Sequence, residues 1–151
     1  MCLIRKSARQ IAFEILFEVN HKSAYSNILL SQTLRDSDLS PRDKAFVTNL
    51  VYGVLRNRNL LDDLVLKCAD RNLDKIDSKL LEVLRMGTFQ LHILKAPAHA
   101  AVNESVELAK IFAGKSTASF ANAILRGITK VIESERILPR SFQYSIDTSM
   151  D

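Results

Sequence analysis

The stretch Ala96-Pro-Ala-His-Ala-Ala-Val-Asn-Glu-Ser-Val-Glu-Leu-Ala-Lys110 constrains this chain more than any other. Pro97 suits the start of a helix, where its missing N–H costs little. After it, Val102, Val106, Ala109 and the Ile111–Phe112 pair recur at helical spacing and draw one apolar stripe. Glu104, Glu107 and Lys110 fall off that stripe and are expected to face solvent. Ala98, Ala100, Ala101 and Ser105 are small enough to let other helices approach closely. The expectation is a helix at the centre of a helical domain, with its neighbours packed on it.

The rest of the chain supplies those neighbours. With 151 residues, 47% of them hydrophobic, one domain with a sizeable core is the natural count. Ser7 is placed to cap a first helix, with Ala8, Ile11, Ala12, Ile15, Leu16 and Val19 on one face and Phe13 and Phe17 broadening it. A second, shorter helix carries Ile28, Leu29 and Leu34. Ser40-Pro41-Arg42-Asp43 is a strong helix start, with Ser40 as cap, Pro41 as first helical residue and Asp43 as a variant of the capping-box acid. That third helix is expected to end near Arg56-Asn-Arg-Asn59, and a fourth to close near Arg71-Asn72. Asp77 caps a fifth, in which Gly87 permits close packing or a kink. The opening stretch is the sixth. Ser116 is expected to cap a seventh, which carries Phe120, Ala121, Ile124, Leu125, Ile128 and Ile132. Periodicity fails beyond about Ser134, so the expected division is a domain over 1–134 and a loosely attached or disordered tail over 135–151. No stretch alternates in the manner of a strand, and the fold class is all-α.

The chemistry-bearing residues are sparse. The glycines Gly53, Gly87, Gly114 and Gly127 are scattered, so there is no phosphate or cofactor loop, and no cofactor is expected. Cys2 and Cys68 lack metal-ligand spacing and read as thiols of a reducing cytoplasm. No run approaches the roughly 18 apolar residues of a membrane span, and the first residues lack the pattern of a signal peptide. His99 is read as a structural residue at a helix start rather than a catalytic one. Asn103 and Asn122 each interrupt an apolar face. A buried amide needs partners, so they either tie helix ends to the core or meet a ligand.

Charge is distributed unevenly. Residues 1–58 contain nine Lys and Arg against five Asp and Glu, and that difference of four is the net charge of the whole chain, +4. A basic first third points to a polyanion, most simply nucleic acid, although a solvated surface with a chance imbalance has the same composition. The cations placed to meet such a partner are Arg5, Lys6 and Arg9 at the start of the first helix, Arg42 and Lys44 at the start of the third, and Arg56 and Arg58 at its end. Arg42 and Arg56 have a competing role as partners of Asp43 or Asp62. Tyr52 either stacks on a base or packs beside Gly53.

Five strings in order, Ser40-Pro-Arg-Asp-Lys-Ala-Phe46, Leu50-Val-Tyr-Gly-Val-Leu-Arg56, Leu84-Arg-Met-Gly-Thr-Phe-Gln-Leu91, Pro97 to Lys110 and Phe120-Ala-Asn-Ala-Ile-Leu-Arg126, resemble the NusB family. Within it they are most similar to the NusB-like N-terminal domain of bacterial methyltransferases acting on carbon 5 of cytosine in small-subunit ribosomal RNA. The resemblance implies a seven-helix fold of two small helical subdomains and an RNA-binding role through the Arg-rich N-terminus, which Arg5, Lys6 and Arg9 match; Arg42, Lys44, Arg56 and Arg58 are added as candidate RNA-binding residues. It places the S-adenosylmethionine site and catalytic cysteines of such enzymes in a separate C-terminal domain. The chain is therefore expected to be a non-catalytic module: an excised domain, a truncated product or an independent adaptor. The alternative is a transcription antitermination factor of the NusB type, binding RNA with a ribosomal protein. Some relatives dimerise, which leaves a homodimer open.

Overall fold

The structure, a computed structural model, describes residues 5–22 and 25–136. Seven α-helices follow one another: α1 (Ala8–His21), α2 (Ser26–Arg35), α3 (Pro41–Arg56), α4 (Arg58–Cys68), α5 (Ser78–His92), α6 (Ala98–Phe112) and α7 (Ala118–Arg136). Short 3₁₀ turns at Leu73–Lys75 and Lys115–Thr117 precede α5 and α7. No strand occurs among the described residues. One apolar cluster joins all seven helices.

α1, α2 and α3 form one small subdomain, and α4, α6 and α7 form the core of a second. α5 belongs to both, since it packs against α1 and α3 on one side and α4, α6 and α7 on the other. Every residue from Leu80 to Leu91 on α5 is buried. A helix buried on all its faces is a core helix rather than a surface one. The central helix is thus α5, not the 97–110 segment that the sequence suggested. α6 keeps one exposed face, where Asn103, Glu104, Glu107 and Lys110 lie. The sequence misled here because α5 carries Glu82, Arg85 and Gln90 among its apolar residues, which makes it look amphipathic when it is not.

Close approach around α5 depends on two glycines. A Cβ at Gly87 would lie 2.7 Å from Ser105 Oγ and 3.0 Å from a Leu125 methyl, so this position seats α5 directly against α6 and α7. At Gly53 a Cβ would overlap the ring of Phe89, which joins α3 to α5.

Several local expectations change. α4 ends at Cys68, short of Arg71-Asn72, because the chain leaves the helix in extended geometry at Ala69 (ψ 146°). Ser116 does not cap α7. It lies inside the 3₁₀ turn that runs straight into the helix, and Thr117 Oγ1 donates to the Gly114 carbonyl at 2.7 Å. Ser40 caps α3 through the Asp43 N–H at 3.1 Å, but the reciprocal capping box forms on α1, between Ser7 and Gln10. Asn103 is exposed rather than buried and bonds His99. Glu135 and Arg136 close α7, and the remainder of the tail expected over 135–151 lies outside the described residues.

Candidate nucleic-acid interface

The Ser7 box fixes where α1 begins. Ser7 Oγ accepts from the Gln10 N–H at 3.1 Å, and Gln10 Oε1 accepts from the Ser7 N–H at 2.7 Å. Arg5 and Lys6 therefore precede the helix and Arg9 lies in its first turn. Ser40 and Pro41 set the start of α3 in the same way, placing Arg42 and Lys44 in its first turn. The two starts meet, because Arg9 lies over the ring of Phe46, 4.9 Å from its centroid. Between them is an open groove of about 760 Å³ bordered by Arg5, Lys6 and Arg9 on one side and Asp36, Asp38 and Asp43 on the other.

These cations differ in how firmly they are held. Arg5 is within 3.9 Å of Asp38, with both side chains more than three-quarters exposed. Lys6 pairs with Glu14 at 2.9 Å. Exposed pairs of this kind contribute little and are readily exchanged. Arg9 is held more firmly: its guanidinium pairs with Glu104 on α6 and donates from Nε to Gln90 Oε1 on α5 at 2.8 Å. Glu104 faces solvent as expected and is also part of a brace joining α1, α5 and α6. Arg42 is exposed and Lys44 half-buried, and neither has an ion-pair partner among the described residues.

Arg56 and Arg58 lie at the other end of the α1–α3 pair. α1 spans 14 residues, so at ~1.5 Å per residue about 20 Å separates the two groups of cations. Arg56 Nε is 3.5 Å from the Tyr52 carbonyl of its own helix. Arg58 Nη1 donates to Asn20 Oδ1 at 3.3 Å. Tyr52 packs half-buried against the core. Asp62 is not a partner of Arg56. It takes both Nε (2.7 Å) and Nη2 (3.2 Å) of Arg85.

Sequence reasoning missed the network that this last pair belongs to. Arg85 Nη1 also reaches Glu82 Oε2 at 3.2 Å, and the same oxygen accepts from Asn20 Nδ2 at 2.9 Å. Glu82 is fully buried, and its other oxygen has no hydrogen-bond partner among the described residues. Charged residues at 82 and 85, one turn apart within a Leu-rich helix, were the available signal, because such groups are buried only in company.

A further cation lies on another face. Arg71 stacks over Phe120, 4.6 Å from its centroid, and donates to Asp70 Oδ1 at 2.8 Å. That hydrogen bond holds the Asp70 carboxyl below its ordinary value. Among the described residues no group of three or more His, Cys, Asp or Glu could hold a metal ion, and no helix is long and apolar enough to cross a membrane.

Known proteins match this chain in sequence and in fold. The chain is 40% identical over 121 residues to a probable ribosomal RNA small subunit methyltransferase B of Synechocystis, covering 80% of this chain and 27% of that protein. It therefore spans about a quarter of that relative's length. It is 31% identical over 122 residues to the transcription antitermination protein NusB of Pseudomonas fluorescens, covering 80% of this chain and 74% of that one. Among solved structures, that of antitermination factors NusB and NusE in complex with double-stranded RNA superposes with a TM-score of 0.74 at 21% identity, covering 82% of this chain and 94% of its match. The NusB family itself matches residues 6–130, and the chain belongs to it.

Proposed function

We propose that this chain is an RNA-binding helical domain that docks small-subunit ribosomal RNA, as the non-catalytic targeting module of a cytosine-carbon-5 methyltransferase. The observation that carries this reading is the 40% identity to a ribosomal RNA methyltransferase, against 31% to an antitermination factor. The basic first third supports an RNA partner. Arg5, Lys6, Arg42 and Lys44 meet phosphates at the joined starts of α1 and α3. Arg56 and Arg58 make a second contact at the far end of the same helices. Arg9 belongs to the first group but is tethered, so it positions that face more than it reaches outward. Arg5 and Lys6 exchange their exposed carboxylates for phosphate oxygens when RNA arrives.

A second reading is favoured by coverage: the chain matches most of the length of an antitermination factor. On that reading it binds RNA together with a NusE-type ribosomal protein.

The test is RNA affinity as a function of salt. With about four single-strand phosphate contacts, log Kd is expected to change with log salt at a slope of magnitude about 3, and affinity to fall roughly tenfold to a hundredfold between 50 and 200 mM. Replacing Arg5, Lys6, Arg42 and Lys44 together by Ala is expected to weaken binding and flatten the slope. A Lys67→Ala/Lys75→Ala control is expected to do neither. Lys79 is a poor control, since its ammonium lies 6.0 Å from the centre of the Phe17 ring. Equal losses in both variants would remove the basic face from the reading. A small-subunit ribosomal RNA fragment binding no better than an unrelated RNA, with tight capture of the ribosomal protein, would favour the second reading.

A further inference from the structure

A groove of about 450 Å³ between the first turn of α6 and the outer face of α7 has no part in the face described above. Asn122, Arg126 and Lys130 stand one turn apart on its α7 wall, and His99 and Asn103 stand one turn apart on its α6 wall. Arg126 and Lys130 are exposed and Asn122 is half-buried. Among the described residues none of these three has a hydrogen-bond or ion-pair partner. Glu133 also lines the groove, at its far end along α7, so the Asp, Glu, Lys and Arg of the lining sum to +1 (two cations less one anion). Asn103 Nδ2 lies 3.2 Å from His99 Nε2, which sets the imidazole beside the carboxamide. The groove thus combines uncompensated positive charge, two carboxamides and an aromatic ring.

It is separate from the groove at the starts of α1 and α3 but joined to it by a third groove. Asn103 borders that third groove together with Ser7, Arg9, Glu104 and Glu107, and in it the two carboxylates outnumber the one cation. Ser7 and Arg9 in turn border the groove at the starts of α1 and α3. The α6–α7 groove and the groove at the helix starts are thus linked through lining residues they share with the groove between them, Asn103 on one side and Ser7 and Arg9 on the other.

We propose that this groove seats one nucleotide of a single-stranded RNA. Its phosphate lies on Arg126 and Lys130, its base edge meets the carboxamides of Asn122 and Asn103, and its ring face stacks on His99. The proposal rests on the RNA-binding reading and extends it to a second contact. Two variants and a crosslink on the unaltered protein test it, using a fluorescein-labelled ten-nucleotide single-stranded RNA. Arg126→Gln/Lys130→Gln is expected to weaken binding about tenfold and to flatten the salt slope by about 1.4, two contacts' worth. Asn122→Ala is expected to weaken binding severalfold with the slope unchanged. A 4-thiouridine strand is expected to crosslink within His99–Lys130 on the unaltered protein. Wild-type affinity and slope in the double variant, or no crosslink in that span, overturns the groove assignment while RNA binding by the unaltered protein stands. No binding by the unaltered protein at 50 mM salt overturns both.

Discussion

Arg85 shows how a single residue can be costly and still indispensable. Its guanidinium is nearly buried and answers two carboxylates, Asp62 on α4 and Glu82 on its own helix. Through Glu82 it also answers Asn20 on α1. Removing the cation leaves Glu82 as a buried, uncompensated charge. Arg85→Met is expected to destabilise the fold by about 3–5 kcal/mol in urea unfolding, whereas Asp62→Leu/Glu82→Met/Arg85→Met together recovers most of that loss. Cys68 gives a smaller, pH-dependent effect. Burial pushes its thiol up, only partly countered by Lys67. As pH rises past the ordinary thiol range, the unfolded chain loses its proton first. The contribution of Cys68 is therefore complete below that range and declines until the raised value is passed. In a Cys2→Ser background, thiol alkylation at pH 8 is expected to be slower in the native protein than in 6 M urea. Equal rates would show the thiol to be as acidic folded as unfolded.

At the scale of elements, helix starts were legible and helix centrality was not. Ser7 and the Ser40–Pro41 pair act through bonds spanning three residues, so the sequence alone locates them. Asp77 does the same for α5, accepting from Lys79 and Leu80 N–H at 2.9 and 3.1 Å. Whether a helix is buried on one side or all round depends on partners far along the chain, and no local pattern reports that. The same blindness hid the Arg9–Glu104 pair, whose members are 95 residues apart. For the candidate cations, the sequence placed each at a helix start or end but did not show that the starts of α1 and α3 meet, because that contact joins Arg9 to Phe46 across 37 residues. The link before α7 makes its own prediction. Gly114 has φ +103° and ψ 153°, a region closed to residues with a Cβ, although the surrounding space is open. Gly114→Ala is expected to cost about 1–3 kcal/mol by chemical denaturation, from backbone strain alone. Unchanged stability would mean that the link rearranges without penalty.

For the whole molecule, the shared helix decides how it comes apart. Because α5 fills the core of both subdomains, neither keeps its apolar face covered without it. Thermal unfolding followed at 222 nm and by calorimetry is expected to give one coincident transition, with calorimetric and van't Hoff enthalpies equal. Two resolved transitions would show the subdomains to be independent. The all-α class was readable from helical periodicity and caps, and the family from five strings that occur in the right order. The resemblance carried the two subdomains as well, but not that they share one helix, because that is a property of topology. That topology also sets an order of events at the ribosome. α1, α2 and α3 are synthesised first, yet the apolar surfaces that α1 and α3 offer to α5 stay uncovered until residues 78–92 have emerged. At about 5–20 residues per second, the nascent N-terminal half spends seconds as a set of unroofed helices. During that interval those apolar surfaces lie open to proteases and to other chains, and it ends when one helix arrives to close both halves at once.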